Sequence, residues 1–147
     1  MKHVFFATAL LIATAFSNAT FAADKTNPIV QQAFQNNFST AKDVEWTVSE
    51  NLYKATFTFN GQVVTAFYSA DGSQLALSRN IATHQLPVTL QAELKKNYKD
   101  YWVSDLFEMN DADGLSYYIT VENGDSKVVL KSQSSYSWGL FQKTKKA

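Results

Sequence analysis

Leu52-Tyr53-Lys54-Ala55-Thr56-Phe57-Thr58-Phe59-Asn60-Gly61-Gln62-Val63-Val64-Thr65-Ala66-Phe67-Tyr68 is the stretch that decides the fold. Two runs rich in aromatic and β-branched residues flank Asn60-Gly61, a dipeptide that accepts the positive φ angles of a two-residue type I′ turn, so the stretch reads as an antiparallel hairpin. Such a turn pairs Phe57 with Val64, Ala55 with Ala66 and Tyr53 with Tyr68, and these six share the face turned to the core. Lys54, Thr56, Thr58, Val63, Thr65 and Phe67 fall on the opposite face.

Upstream, Val44, Trp46 and Val48 alternate as in a strand, and Trp46 reads as core. Before them Val30, Phe34 and Phe38 recur every four residues, on one side of a helix whose first turn suits Pro28. Downstream, Ala70-Asp71-Gly72 is a turn that leads to a short strand at Leu75 to Leu77. The same order then recurs. Leu90, Leu94 and Tyr98 repeat the helix spacing 60 residues later, introduced by Leu86-Pro87. Val103, Asp105, Phe107 and Met109 share one strand parity, and Leu115 to Glu122 and Lys127 to Lys131 flank Asn123-Gly124 at an offset of 63. A last strand runs from Tyr136 to Phe141. In the second hairpin Tyr117, Ile119, Val121, Val128 and Leu130 are expected to be buried, and Tyr118, Thr120, Lys127, Val129 and Lys131 exposed. At an offset of 63 the two hairpins disagree in parity by one residue, which a bulge or a longer turn in one of them reconciles.

The chain opens with a basic start, Met1-Lys2-His3, and an apolar run from Val4 to Phe16. Small residues follow, with Thr20 and Ala22 at the minus-three and minus-one places of a cleavage site. This is the layout of a secretory signal peptide over residues 1–22, with a mature domain from 23 to 147. The apolar run is shorter than the roughly 20 residues that span a bilayer, and no membrane span is expected in the mature chain. The sequence contains no cysteine, so neither a lipoprotein anchor nor a disulfide is expected. A periplasmic or secreted location follows. Lysine plus arginine and aspartate plus glutamate number 13 each over the whole chain. That balance lacks the basic stripe of a nucleic-acid binder, and the cluster of Lys143, Lys145 and Lys146 reads as a frayed tail.

Val30, Phe34 and Phe38, then Ala41-Lys42-Asp43-Val44-x-Trp46, then Tyr53-x-Ala55-x-Phe57 resemble the first half of the PepSY-like, β-lactamase-inhibitor-like family. The pattern continues through Asn60-Gly61, Asp71-Gly72, Leu86-Pro87 and Tyr98, and covers the chain from about Val30 to Lys131. The resemblance implies an exported bacterial protein, often of a Bacteroidota-like envelope, without enzymatic activity. It also implies a sheet that curves, with helices on one side, and a partner gripped by an aromatic-rich concave sheet face. Only that type of surface is carried over to this chain. Tyr136-Ser137-Trp138-Gly139-Leu140-Phe141 departs from the family pattern of an Asp-Gly turn and strand.

The expected fold class is therefore α+β: two tandem helix-plus-antiparallel-strand units, about 28–80 and 86–141, forming a curved sheet with helices packed on one face. Beyond the leader His84 is the one histidine. It has no recognisable partner, and it reads as a loop residue before the second helix rather than a general base. Asn110-Asp111-Ala112-Asp113-Gly114 lacks the closing glutamate of a calcium loop and reads as a solvated turn. No cofactor and no metal are expected, and the inventory of acids, bases and ligands is too poor for an enzyme. The expected function is a non-enzymatic exported module that binds or inhibits a protein or peptide partner through its open sheet face. Thr56, Thr58, Phe67, Tyr118, Thr120 and Lys127 are the expected contact residues, since aromatics among hydroxyls and lysines suit a binding surface. The alternative is a carrier that encloses a small apolar ligand between sheet and helices, which needs a cavity of roughly 300–1,000 Å³.

The leader carries a direct test. Intact-mass analysis of exported protein is expected to read Ala23 as the first residue, and an uncut Met1 terminus refutes the cleavage site. Melting curves recorded with and without a strong chelator should superimpose.

Overall fold

The computed structural model describes residues 26–147, so the proposed leader and its cleavage site lie outside the described residues. Over these residues the chain forms α1 (Pro28–Asn37), β1 (Lys42–Ser49), β2 (Leu52–Phe59), β3 (Gln62–Ser69) and β4 (Gln74–Asn80). A single 3-10 turn follows, then α2 (Val88–Asn97), β5 (Trp102–Asp111), β6 (Gly114–Glu122), β7 (Ser126–Ser132) and β8 (Trp138–Lys145).

This architecture corrects the expected α+β class of two tandem helix-plus-strand units. The strands form one eight-stranded antiparallel sheet whose order follows the chain, β1 to β8. The two α-helices among the described residues are ten residues each. The expected short strand at Leu75 to Leu77 extends to Asn80 and pairs with β5, from Ala76 opposite Asp111 to Asn80 opposite Phe107. The last strand of the expected first unit is thus hydrogen-bonded to the first strand of the expected second. The physical reason is that a strand needs only alternation and a partner edge, and Gln74–Asn80 offers both. The chain instead resolves into two compact units that meet within β4, one ending at Leu75 and one beginning at Ala76.

In the first unit, Asn27 caps α1 by accepting from the Ile29 amide at 2.9 Å, while its own amide group donates to the Ala70 carbonyl at 2.8 Å. That second bond ties the helix start to the β3–β4 turn. Gly72 in this turn has φ +85°, and a Cβ there would stand 3.1 Å from Ile29 Cγ2, so glycine satisfies both the backbone and the close approach. Phe34 is the hub of the core. Its ring lies 4.9 Å from Phe57, 5.3 Å from Trp46 and 6.5 Å from Tyr68, in edge-on geometries that suit the ring quadrupoles. Asn60 and Gly61 both have positive φ, and the ladder pairs Tyr53 with Tyr68, Ala55 with Ala66 and Phe57 with Val64. The expected register is the one observed.

In the second unit, Leu86, Leu90, Leu106, Ile119, Val121, Val128, Leu130 and Trp138 form the buried cluster. Trp138 anchors α2 to β8: its indole N–H donates to the Leu90 carbonyl at 3.0 Å and its amide to Glu93 Oε2 at 2.9 Å. The second hairpin pairs Glu122 with Lys127 and Val121 with Val128, so its turn is longer than the two-residue turn of the first. This longer turn accounts for the parity difference noted above. The carboxamide Oδ1 of Asn123 organises it, accepting from the amides of Asp125 and Ser126.

Side chains on opposite faces of the β2–β3 hairpin give a sharp check on face assignment. Phe57→Ala is expected to destabilise by about 3–5 kcal/mol in denaturant unfolding. Val63→Ala, at a side chain 58% exposed, should stay within about 0.5 kcal/mol. Equal losses would refute the register.

Candidate functional site

The face of β5–β8 away from the Leu90 cluster carries an aromatic group that arises from register rather than from any contiguous motif. Phe107 and Tyr118 are cross-strand partners, and their rings stack at 5.2 Å with an interplanar angle of 13°. Phe141 meets Tyr118 edge-on at 5.7 Å. Lys131, the ladder partner of Tyr118 on β7, holds its ammonium 5.3 Å from the Tyr118 ring centroid. The cation sits over the electron-rich ring face, a favourable arrangement.

This packing explains why Tyr118 is only 1% exposed, against the expectation that it faces solvent. It points to the expected face, but Phe107, Phe141 and Lys131 cover it there. Phe67 in the first unit is likewise 7% exposed rather than open. It stands opposite Lys54, a half-buried lysine whose ammonium burial holds below its usual pKa. Thr120 is buried as well, between Asp105 and Val129 in the ladder. Thr56 and Thr58 are half-buried, and the Thr56 and Thr65 hydroxyls are 3.3 Å apart. Lys127 is exposed, opposite Glu122. Within the first unit Thr56, Thr58 and Phe67 share a face, and within the second Tyr118, Thr120 and Lys127 share one.

Beside the aromatic group lies a groove of about 770 Å³ where β6 begins, β7 ends and β8 begins. Leu115, Ser116, Lys131, Gly139, Leu140 and Phe141 are among its lining residues. Lys131 and Phe141 thus belong to both features. Leu115 is 57% and Leu140 66% exposed, and Tyr136 stands in the turn beside them, also exposed. The sequence reading missed Phe107, Phe141 and Leu140 as site residues. Phe107 could have been found from its parity on β5, but Phe141 could not. The β7–β8 register shifts between Val129 and Leu130, and Phe141 is the residue passed over by that bulge.

The acidic groups near these strands are engaged structurally. Asp111 Oδ1 accepts from the Asp113 amide at 2.8 Å in the β5–β6 turn. Glu122 is held below the usual carboxylate range chiefly by its hydrogen bond from Lys146, whose Nζ lies 2.8 Å away. His84 lies exposed in the 3-10 turn before α2. No helix among the described residues is long and apolar enough to cross a membrane.

No family model matches the chain, and no curated protein matches it. Solved structures do. A BLIP-like protein from Bacteroides fragilis aligns with TM-score 0.66 at 19% identity, over 80% of this chain and 84% of its own. A DUF2874 family protein from Bacteroides ovatus aligns with TM-score 0.70 at 20% identity, over 82% and 88%. A Bacteroides eggerthii protein with a provisional periplasmic assignment aligns with TM-score 0.69 at 14% identity, over 80% and 87%. The inhibitor-like side of the sequence resemblance therefore holds at the level of fold, while the PepSY-like side finds no counterpart. At these identities the likeness establishes one thing: this chain has a fold similar to that of BLIP-like and DUF2874 proteins of Bacteroides.

Proposed function

We propose that the protein is a non-enzymatic, exported binding module that holds a protein or peptide partner on the β5–β8 face centred on Phe107, Phe141 and Lys131. The observation that carries this reading is the aromatic group itself, half-exposed Phe107 and Phe141 set on buried Tyr118 with Lys131 beside its ring, on the sheet face away from the Leu90 cluster. A buried aromatic support under half-exposed rings is how binding hot spots are built. Tyr118 has a supporting role in this site: it props Phe107 and Phe141 and is itself too covered to touch a partner. Thr56, Thr58 and Phe67 are not part of it. Lys127 lies at the other end of β7, opposite Thr144, and is outside it as well.

The fold likeness to a BLIP-like protein agrees with an inhibitor-type role, and the likeness to a protein of provisional periplasmic assignment agrees with export. The carrier reading loses ground on packing. Leu90 and Ile119 are fully buried, Leu130 nearly so, and they fill the space beneath α2, whereas the 770 Å³ groove is lined by strand ends and a turn.

The test is site-directed photo-crosslinking from position 107 in cell envelopes, with variants as contrasts. Leu140→Asp, opposite Leu130 and so on the other face, should leave both stability, within about 0.5 kcal/mol as exposed substitutions do, and capture unchanged. Phe141→Ala should cost about 1 kcal/mol and abolish capture. Tyr118→Ala should cost about 3–5 kcal/mol because it empties a buried site. Capture that survives Phe141→Ala, or that Leu140→Asp removes equally, would overturn the proposed face.

A further inference from the structure

The whole chain is electrically balanced, yet its charges are segregated in the second unit. Lys143 and Lys145 are not on a frayed tail but in β8, which stays paired as far as Lys145 opposite Ser126. Lys146 follows, fixed by its contacts with Glu122 and the Asn123 carbonyl. Lys127 stands beside them, opposite Thr144. The last turn of α2 brings Lys95 and Lys96, and Lys99 precedes the start of β5. Seven of the thirteen basic residues of the chain thus gather where α2 and β8 end, against Asp100, Glu122 and Asp125.

Part of this has a structural reason. Lysines in the last turn of a helix complement its dipole, and lysines on an edge strand discourage edge-to-edge pairing. Neither reason accounts for the apolar residues at the same end. Trp102 and Val103 open β5 and are 54% and 42% exposed. The Lys146 ammonium lies 4.6 Å from the centre of the Trp102 ring, and Tyr101 lines a groove of about 580 Å³ with Lys143, Lys145 and Lys146.

We propose that this end of the second unit, Trp102 and Val103 ringed by lysines, docks on the surface of a bilayer that contains anionic phospholipid. Stable interfacial binding takes two signals, a small apolar insertion and an electrostatic attraction to acidic headgroups. Trp102 supplies the first: an amphipathic ring prefers the headgroup level, where its N–H stays hydrated. The lysines supply the second, with long apolar stems that let their ammonium groups reach phosphate. The surface is separate from the Leu115–Leu140 groove, which lies where β8 begins rather than where it ends.

The experiment is vesicle co-sedimentation of the chain from Ala23, with vesicles of phosphatidylcholine alone or mixed with phosphatidylglycerol, together with tryptophan emission. Trp46 is half-buried and Trp138 buried, so Trp102 is the tryptophan free to report insertion. The expected result is binding to the mixed vesicles alone, a blue shift of emission, and loss of binding as salt compresses the Debye length below about 10 Å. Lys143→Gln with Lys145→Gln should weaken binding about tenfold with an unchanged melting curve, and Lys42→Gln in the first unit should not weaken it. Trp102→Ala should remove the blue shift. Equal binding to both vesicles, binding to neither, or binding to a soluble polyanion such as heparin without binding to vesicles would each overturn the proposal.

Discussion

Cross-strand register is the constraint on which the rest of this structure depends. Side chains on a strand alternate between faces, so one residue of slip in a hairpin would exchange every core residue for a surface one. In the first unit that register is set at Asn60-Gly61, where both residues adopt positive φ and the strands pair without a bulge from Leu52 to Phe59. Phe57 and Tyr68 then meet Phe34 of α1, and the aromatic hub follows. In the second unit the longer Asn123 turn performs the same office, delivering Ile119, Val121, Val128 and Leu130 to the underside of α2.

The second unit adds a feature that a half-buried sheet lacks. Four successive residues of β6, Tyr118 to Val121, are buried on both faces. Ile119 and Val121 face the Leu90 cluster, while Tyr118 is covered by two aromatic rings and a lysine on the other side. A rigid aromatic base of this kind fixes the exposed edges of Phe107 and Phe141 at little entropic cost on binding, which favours a preorganised contact surface over an adaptable one.

Charge placement follows from strand direction. The β5–β6 turn carries Asp111 and Asp113, whereas the ends of α2 and β8 carry the lysines. Antiparallel pairing sets β8's last residues beside β7's first and brings Lys127 next to Lys143 and Lys145. A chain with no net charge can therefore present a locally basic surface, and its formal charge alone says nothing of that.

What the sequence by itself determined are the features governed by local rules: the type I′ turn, the inward set Ala55, Phe57, Val64, Ala66 and Tyr68, the α1 helix with Pro28 in its first turn and Val30 and Phe34 inward, and the inward set of the second hairpin. Alternation, helical spacing and turn chemistry act over a few residues, so they can be read without a partner. The tertiary structure decided the rest. It paired β4 of the expected first unit with β5 of the expected second, covered Tyr118 and Phe67, brought Phe141 onto Tyr118 through a bulge, and ordered the lysines of β8. Each of these depends on which backbone lies alongside at a distance in sequence, and alternation within one strand carries no information about its neighbour's register or about what covers its second face.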